Sequence, residues 1–166
     1  MTRTDSPPAR DERSQLATFL DYTRATALAK CDGLSRENAV RSPLPGSPLM
    51  TLAGIVNHLR WVEYYWFEVV FLGGEDEGPW TDEDPDREMR IAVDMPLADV
   101  LREYREQSAR YRELVAAHDL DTLAVRERHG RRPDLRWIVL HLIEETARHN
   151  GHIDIIREIL DGTTGD

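Results

Sequence analysis

A chain of 166 residues, 40% of them hydrophobic, is long enough for one domain with a sizeable core. Its formal net charge of -10, from 21 Lys+Arg against 31 Asp+Glu, argues against nucleic acid or an anionic membrane as the main partner. The single cysteine, Cys31, excludes an intrachain disulfide and fits a reducing, cytoplasmic setting. No early apolar run marks a signal peptide, and none reaches the roughly 18 residues of a membrane span.

Residues 1–10, with Pro7 and Pro8, read as a flexible N-terminal arm ahead of a single domain over 11–162. A first helix is predicted from about Asp11 to Lys30, with Leu16, Phe19, Leu20, Thr23 and Ala27 inward and Gly33 ending it. Arg41 to Met50 carries Pro43, Pro45, Gly46 and Pro48, so it must be an ordered loop. The second helix starts near Thr51 and ends at Gly73-Gly74; it is apolar almost all round, which marks a buried element. Trp61, Tyr64, Tyr65, Trp66 and Phe67 crowd its circumference, and a lone bundle has no obvious place for all of them, so a homodimer is expected there. Glu75 to Asp86 reads as an acidic, solvated surface loop rather than a lid.

A third helix is predicted from Pro96, with Asp94 as its cap, to about His118. Its stripe is Leu97, Val100, Leu101, Tyr104, Tyr111, Leu114 and Val115. Arg126 to Arg136 brings five arginines and His129. A solvated loop is the default for that stretch, and a receptor for substrate carboxylates is its alternative. No strand-like alternation and no repeat is visible. Four long helices predict an all-α fold, a four-helix bundle.

The last helix, Leu135 to Leu160, carries the chemistry. Asp134 is its expected N-cap, and Gly162 its stop. Leu135, Ile138, Leu142, Ile153, Ile156 and Leu160 form the core stripe, yet Glu145 and His149 fall in the middle of it. Their i,i+4 spacing stacks them on one face, and bare in a core each would need a partner. His58 of the second helix completes a two-histidine, one-carboxylate set that leaves a coordination position open, as in catalytic zinc; iron or nickel suits it equally. The plainer readings are hydrogen-bonded histidines and a Glu145 paired with Arg148. His118 and His129 take that plain reading, and Glu144 is the surface carboxylate. His141 and His152 lie near the face as outer partners of the ligands, pocket-lining groups or substrate-side acid/bases.

His58 within GIVNHLRWVE and the segment EETARHNGH from Glu144 to His152 resemble the DinB/YfiT-like metal-dependent superfamily. The chain is similar to its branch of mycothiol-dependent maleylpyruvate isomerases, in which Glu replaces the first His of HxxxH. The resemblance runs from about Asp11 to Leu160. It implies a divalent metal, zinc first and nickel or iron next, on His58, Glu145 and His149. It also implies a low-molecular-weight thiol of the mycothiol type, activated as thiolate for transfer to, or isomerisation of, a small electrophile. His141 matches a further histidine that is not usually a ligand. Lys30 is the only lysine, a bias compatible with the GC-rich bacteria that make mycothiol. The competing expectation is a non-catalytic metal- or ligand-binding bundle in stress response. An association of the superfamily name with DNA damage finds no support in so acidic a chain. Cys31, away from the motif, reads as structural.

Overall fold

Helical periodicity sets the architecture. The computed structural model describes residues 3–164. Its α-helices are α1 (Glu12–Ala29), α2 (Arg36–Val40), α3 (Leu52–Tyr64), α4 (Arg87–Ile91), α5 (Leu97–Ala117) and α6 (Leu135–Asp161). α3 runs on as a π-helical stretch over Tyr65–Phe71. Among the described residues there is no strand, only the isolated bridges Leu123–Asp134 and Arg128–Arg131. α1 packs along α6, and α3 along both α5 and α6. No helix among the described residues is long and apolar enough to cross a membrane.

Local chemistry fixes the ends. Asp11, Thr51 and Asp134 each accept a hydrogen bond from the backbone N–H three residues on, a cap worth about 1 kcal/mol. Gly162 closes α6 at φ 78°, a left-handed conformation natural to glycine. Asp94 does not cap α5, contrary to expectation. Pro96 itself takes the flanking position, which leaves Asp94 outside the reach of the first-turn amides. α2 and α4 are short helices in the stretches before Arg41 and after Asp86, and neither was expected.

Two apolar clusters fill the bundle. One gathers Leu20, Phe67, Val70, Tyr111, Ile138 and Leu142; the other gathers Ala27, Cys31, Ile55, Leu59, Val100, Ile153 and Ile156. Between them lies a polar layer that the stripe pattern concealed. The Arg24 guanidinium, 1% exposed, donates from Nε and Nη2 to the two Glu63 oxygens at 2.7 and 2.8 Å, and Tyr104 donates to Glu63 at 3.2 Å. Arg24 therefore takes the inward direction on α1, and Phe19, expected inside, is 43% exposed.

The aromatic residues of α3 find partners within the chain. Phe67 packs on Tyr111, and Trp66 lies against Trp137 and His141 of α6. Trp80 of the acidic loop sets its ring edge-on to Trp61 and Tyr65, with ring centroids 5.9 and 6.1 Å apart. Gly78 permits that fold-back, because a Cβ there would meet the Trp80 ring at 2.1 Å. Tyr64 pins the same loop by donating to the Glu75 carbonyl and accepting from Glu77 N–H. The loop is thus anchored on α3 through Trp80 and Tyr64, while most of its acidic residues stay exposed, as expected of a solvated surface. These rings also no longer supply a reason for a dimer surface on this helix.

Candidate metal centre and pocket

The site begins with two helices facing each other. His58 lies two turns into α3, and Glu145 and His149 lie one turn apart on α6. Glu145 Oε1 is 3.5 Å from His58 Nε2 and 3.2 Å from His149 Nε2. One ligand atom from each of the three falls within 4.8 Å of the others. Donors on a tetrahedral ion with bonds of about 2.0–2.1 Å stand roughly 3.3 Å apart, so this donor set fits a small dication. Arg148, by contrast, pairs with Glu144, which leaves Glu145 to the histidines.

Each imidazole is held from behind. His58 Nδ1 is 2.9 Å from Glu88 Oε1, and Glu88 is 4% exposed. Glu88 is held in turn through its backbone carbonyl, which accepts from Asn57 Nδ2 at 2.6 Å. With Nδ1–H donated to a carboxylate, the Nε2 lone pair points at the site. His152 Nδ1 lies 3.4 Å from His149 Nδ1 and plays the same part for the second histidine. Glu88 was missed by the sequence reading. It belongs to α4, in a stretch where one more glutamate among acidic neighbours carries no periodic signal.

The electrostatics follow from these contacts. Hydrogen bonds from His149 and His58 hold the Glu145 carboxyl well below the usual carboxylate range. Burial, the largest influence on His58, disfavours its cation, but hydrogen bonds to Glu145 and Glu88 together outweigh it and raise its pKa to about 9. Without an ion, His58 is a proton-bearing bridge between two carboxylates. Burial pulls His141 down, and burial followed by the His149 charge does the same to His152.

The trio opens onto a cavity of about 1080 Å3 that His58 and Glu145 line at one end. Val62, Tyr65, Trp66, Trp80, Trp137 and His141 form its sides, and Arg128, Arg131 and Arg132 its far rim. The His141 ring stacks on Trp137 at 5.1 Å and meets Trp66 edge-on at 4.8 Å, so it is a wall residue. His129 sits on the rim, away from the trio, and His118 is engaged with the Leu114 carbonyl under the Phe71 ring. Cys31 is 1% exposed in the opposite end of the core, and burial pushes its thiol up to about 12.

An all-helical bundle with a two-histidine, one-carboxylate trio at the floor of an aromatic pocket defines the class: a DinB/YfiT-like protein with a candidate metal site. The model of one family, Mycothiol-S-transferase, matches residues 15–162, and the chain belongs to that family. None of the curated proteins compared with it matches.

Proposed function

We propose that the protein is a divalent-metal-dependent thiol S-transferase that presents a mycothiol-type thiol, as thiolate, to a small electrophile. The observation that carries this reading is the open trio: His58, Glu145 and His149 converge on one point that the pocket reaches. Two neutral imidazoles and one carboxylate leave a dication with net positive charge, and zinc held there would favour thiolate over thiol as it favours hydroxide over water. The thiolate is the reactive form. Glu88 and His152 keep the ligating nitrogens aimed at the site. His141, kept neutral by burial, stands on the pocket wall one turn from Glu145 and is the group placed to take the thiol proton. Cys31 stays a buried, protonated thiol, so the nucleophile is an external one. A free small thiol persists in a reducing compartment, which places the protein in the cytoplasm on this reading. A second copy would associate through the outer side of α6, where Leu140, Ile155 and Ile159 are exposed; sedimentation at the monomer mass of 19.1 kDa would remove that part.

The test uses the cobalt-substituted protein. Adding mycothiol should develop a sulfur-to-cobalt charge-transfer band in the near ultraviolet, and Cys31→Ser should leave the band intact. His58→Ala, Glu145→Ala and His149→Ala should each lose bound metal, while His118→Ala and His129→Ala keep it. A silent thiol titration with cobalt demonstrably bound would reject thiol activation and favour a metal- or ligand-binding bundle without catalysis.

A further inference from the structure

Across the cavity from the trio, the chain makes a tight hairpin at Arg128–Arg131. Arg128 N–H donates to the Arg131 carbonyl at 2.8 Å, and Arg131 N–H to the Arg128 carbonyl at 3.2 Å. The two central residues both have positive φ, His129 at 53° and Gly130 at 73°. That is the geometry of a primed hairpin turn, which glycine adopts freely and histidine adopts at some expense. Residues that exchange both backbone bonds stand directly opposite and send their side chains to the same face, with Cβ atoms about 5 Å apart. Here both are arginines, and like charges so placed repel each other.

Both side chains are exposed, so solvent screens that repulsion in part, but no carboxylate among the described residues offsets it. Arg128 lies over the Tyr65 ring at 5.4 Å, and neither Arg128 nor Arg131 has a carboxylate partner among the described residues. Of the pocket's own carboxylates, Glu88 is committed to His58, Glu145 to both histidines and Asp134 to the Trp137 N–H, while Asp86 is exposed on its rim. Arg132 is weakly paired with Glu127 at 3.8 Å. Two arginines set opposite each other by a primed turn, at the rim of an aromatic-walled cavity, offer guanidinium forks whose planar geometry suits a carboxylate.

We infer that the Arg128–Arg131 hairpin is a carboxylate-binding subsite, so that the electrophile is a flat, aromatic-sized molecule bearing an anionic group remote from its reacting carbon. The arginine stretch is then not a solvated loop but the specificity end of the pocket. This inference rests on the transferase reading for its electrophile, and its test separates the two.

The probes are 4-chloro-3-nitrobenzoate and the matching neutral 4-chloro-3-nitrobenzamide, with mycothiol as the thiol and the zinc-loaded protein. In the reaction the thiolate sulfur bonds to C4, chloride leaves with the bonding pair, and the thiol proton passes by way of His141 to buffer. Binding is read separately, without thiol, from quenching of tryptophan fluorescence by 3-nitrobenzoate and 3-nitrobenzamide, since Trp80 and Trp137 line the cavity. The anion should bind about 10–100-fold more tightly than the amide, and kcat/KM should favour the anionic electrophile by a similar factor. Arg128→Gln with Arg131→Gln should erase both preferences, bringing binding of the anion down to the level of the amide, while leaving metal content unchanged. Equal binding of anion and amide to the wild type, or a preference that survives the double substitution, overturns the subsite. If the binding preference holds but neither electrophile turns over, the subsite stands and the transferase reading fails. If both electrophiles turn over equally with no binding preference, the transferase reading stands and the subsite fails.

Discussion

Two clusters of ionisable groups cross the interior of this bundle, little more than a helical turn apart along α3, and they end in opposite states. At Arg24–Glu63 a planar guanidinium meets a carboxylate two-pronged, Tyr104 donates to the carboxylate as well, and both charged side chains are 1% exposed. At His58–Glu145–His149 the carboxylate meets two imidazoles at 3.2 and 3.5 Å, and the trio opens to a large cavity. The ingredients are alike; the shape of the cation decides the outcome. A guanidinium closes a carboxylate with parallel bonds, whereas two separately mounted rings converge on a point and leave it for an ion.

The largest effect should come from breaking the closed cluster. Glu63→Leu leaves the buried Arg24 with only the more exposed Asp21, at 3.3 Å, as counter-charge among the described residues and should destabilise the fold by about 3–5 kcal/mol in urea denaturation. Arg24→Met combined with Glu63→Leu should recover most of that loss, because the desolvation of both charges is removed together. A double variant no more stable than the single one would mean that the pair is net stabilising in its own right.

Glu88→Gln sharpens the contrast from the open side. The amide fills the same space but no longer holds His58 by charge, so zinc affinity should fall about 10–100-fold by competition with a chelating dye. The urea midpoint of the metal-free protein should change far less than for Glu63→Leu. An unaltered zinc affinity would reduce Glu88 to a bystander.

The last contrast is in pH. The His58 pKa is raised to about 9 in the folded, metal-free protein, from an ordinary value of 6.5. A raised value contributes stability that is fully present below pH 6.5 and is lost as pH rises through about 9. Metal binding must displace the same proton, so zinc affinity should rise up to tenfold per pH unit across that window and level off above it. Stability of the metal-free protein flat across pH 6.5–9, with no proton released on zinc binding, would contradict this account of His58.

Much of this was legible in the chain itself, and the reason is periodicity. A helix repeats every 3.6 residues and starts at recognisable residues, so the stripe from Leu135 to Leu160, the cap Asp134 and the helix starts near Asp11 and Thr51 are local facts. The same rule exposed Glu145 and His149 as polar residues on an apolar face. His58 followed from the apolar surroundings of α3 and from the family resemblance. What the sequence hid were pairings between distant segments and changes of local geometry. Glu88 is an acid in an acidic stretch until α4 docks beside Asn57 and turns it toward His58. Arg24 looks like a surface arginine until Glu63, on another helix, takes it inside. Arg128 and Arg131 are exposed, as the solvated reading expects, but only a primed turn sets them opposite each other on the pocket rim. Phe19 and Asp94 failed for the related reason that a face, or a cap, is chosen by what packs or flanks it. Helical spacing determines which residues share a side of one segment; only the packed chain decides what that side meets, because contact between segments depends on distances that no single period encodes.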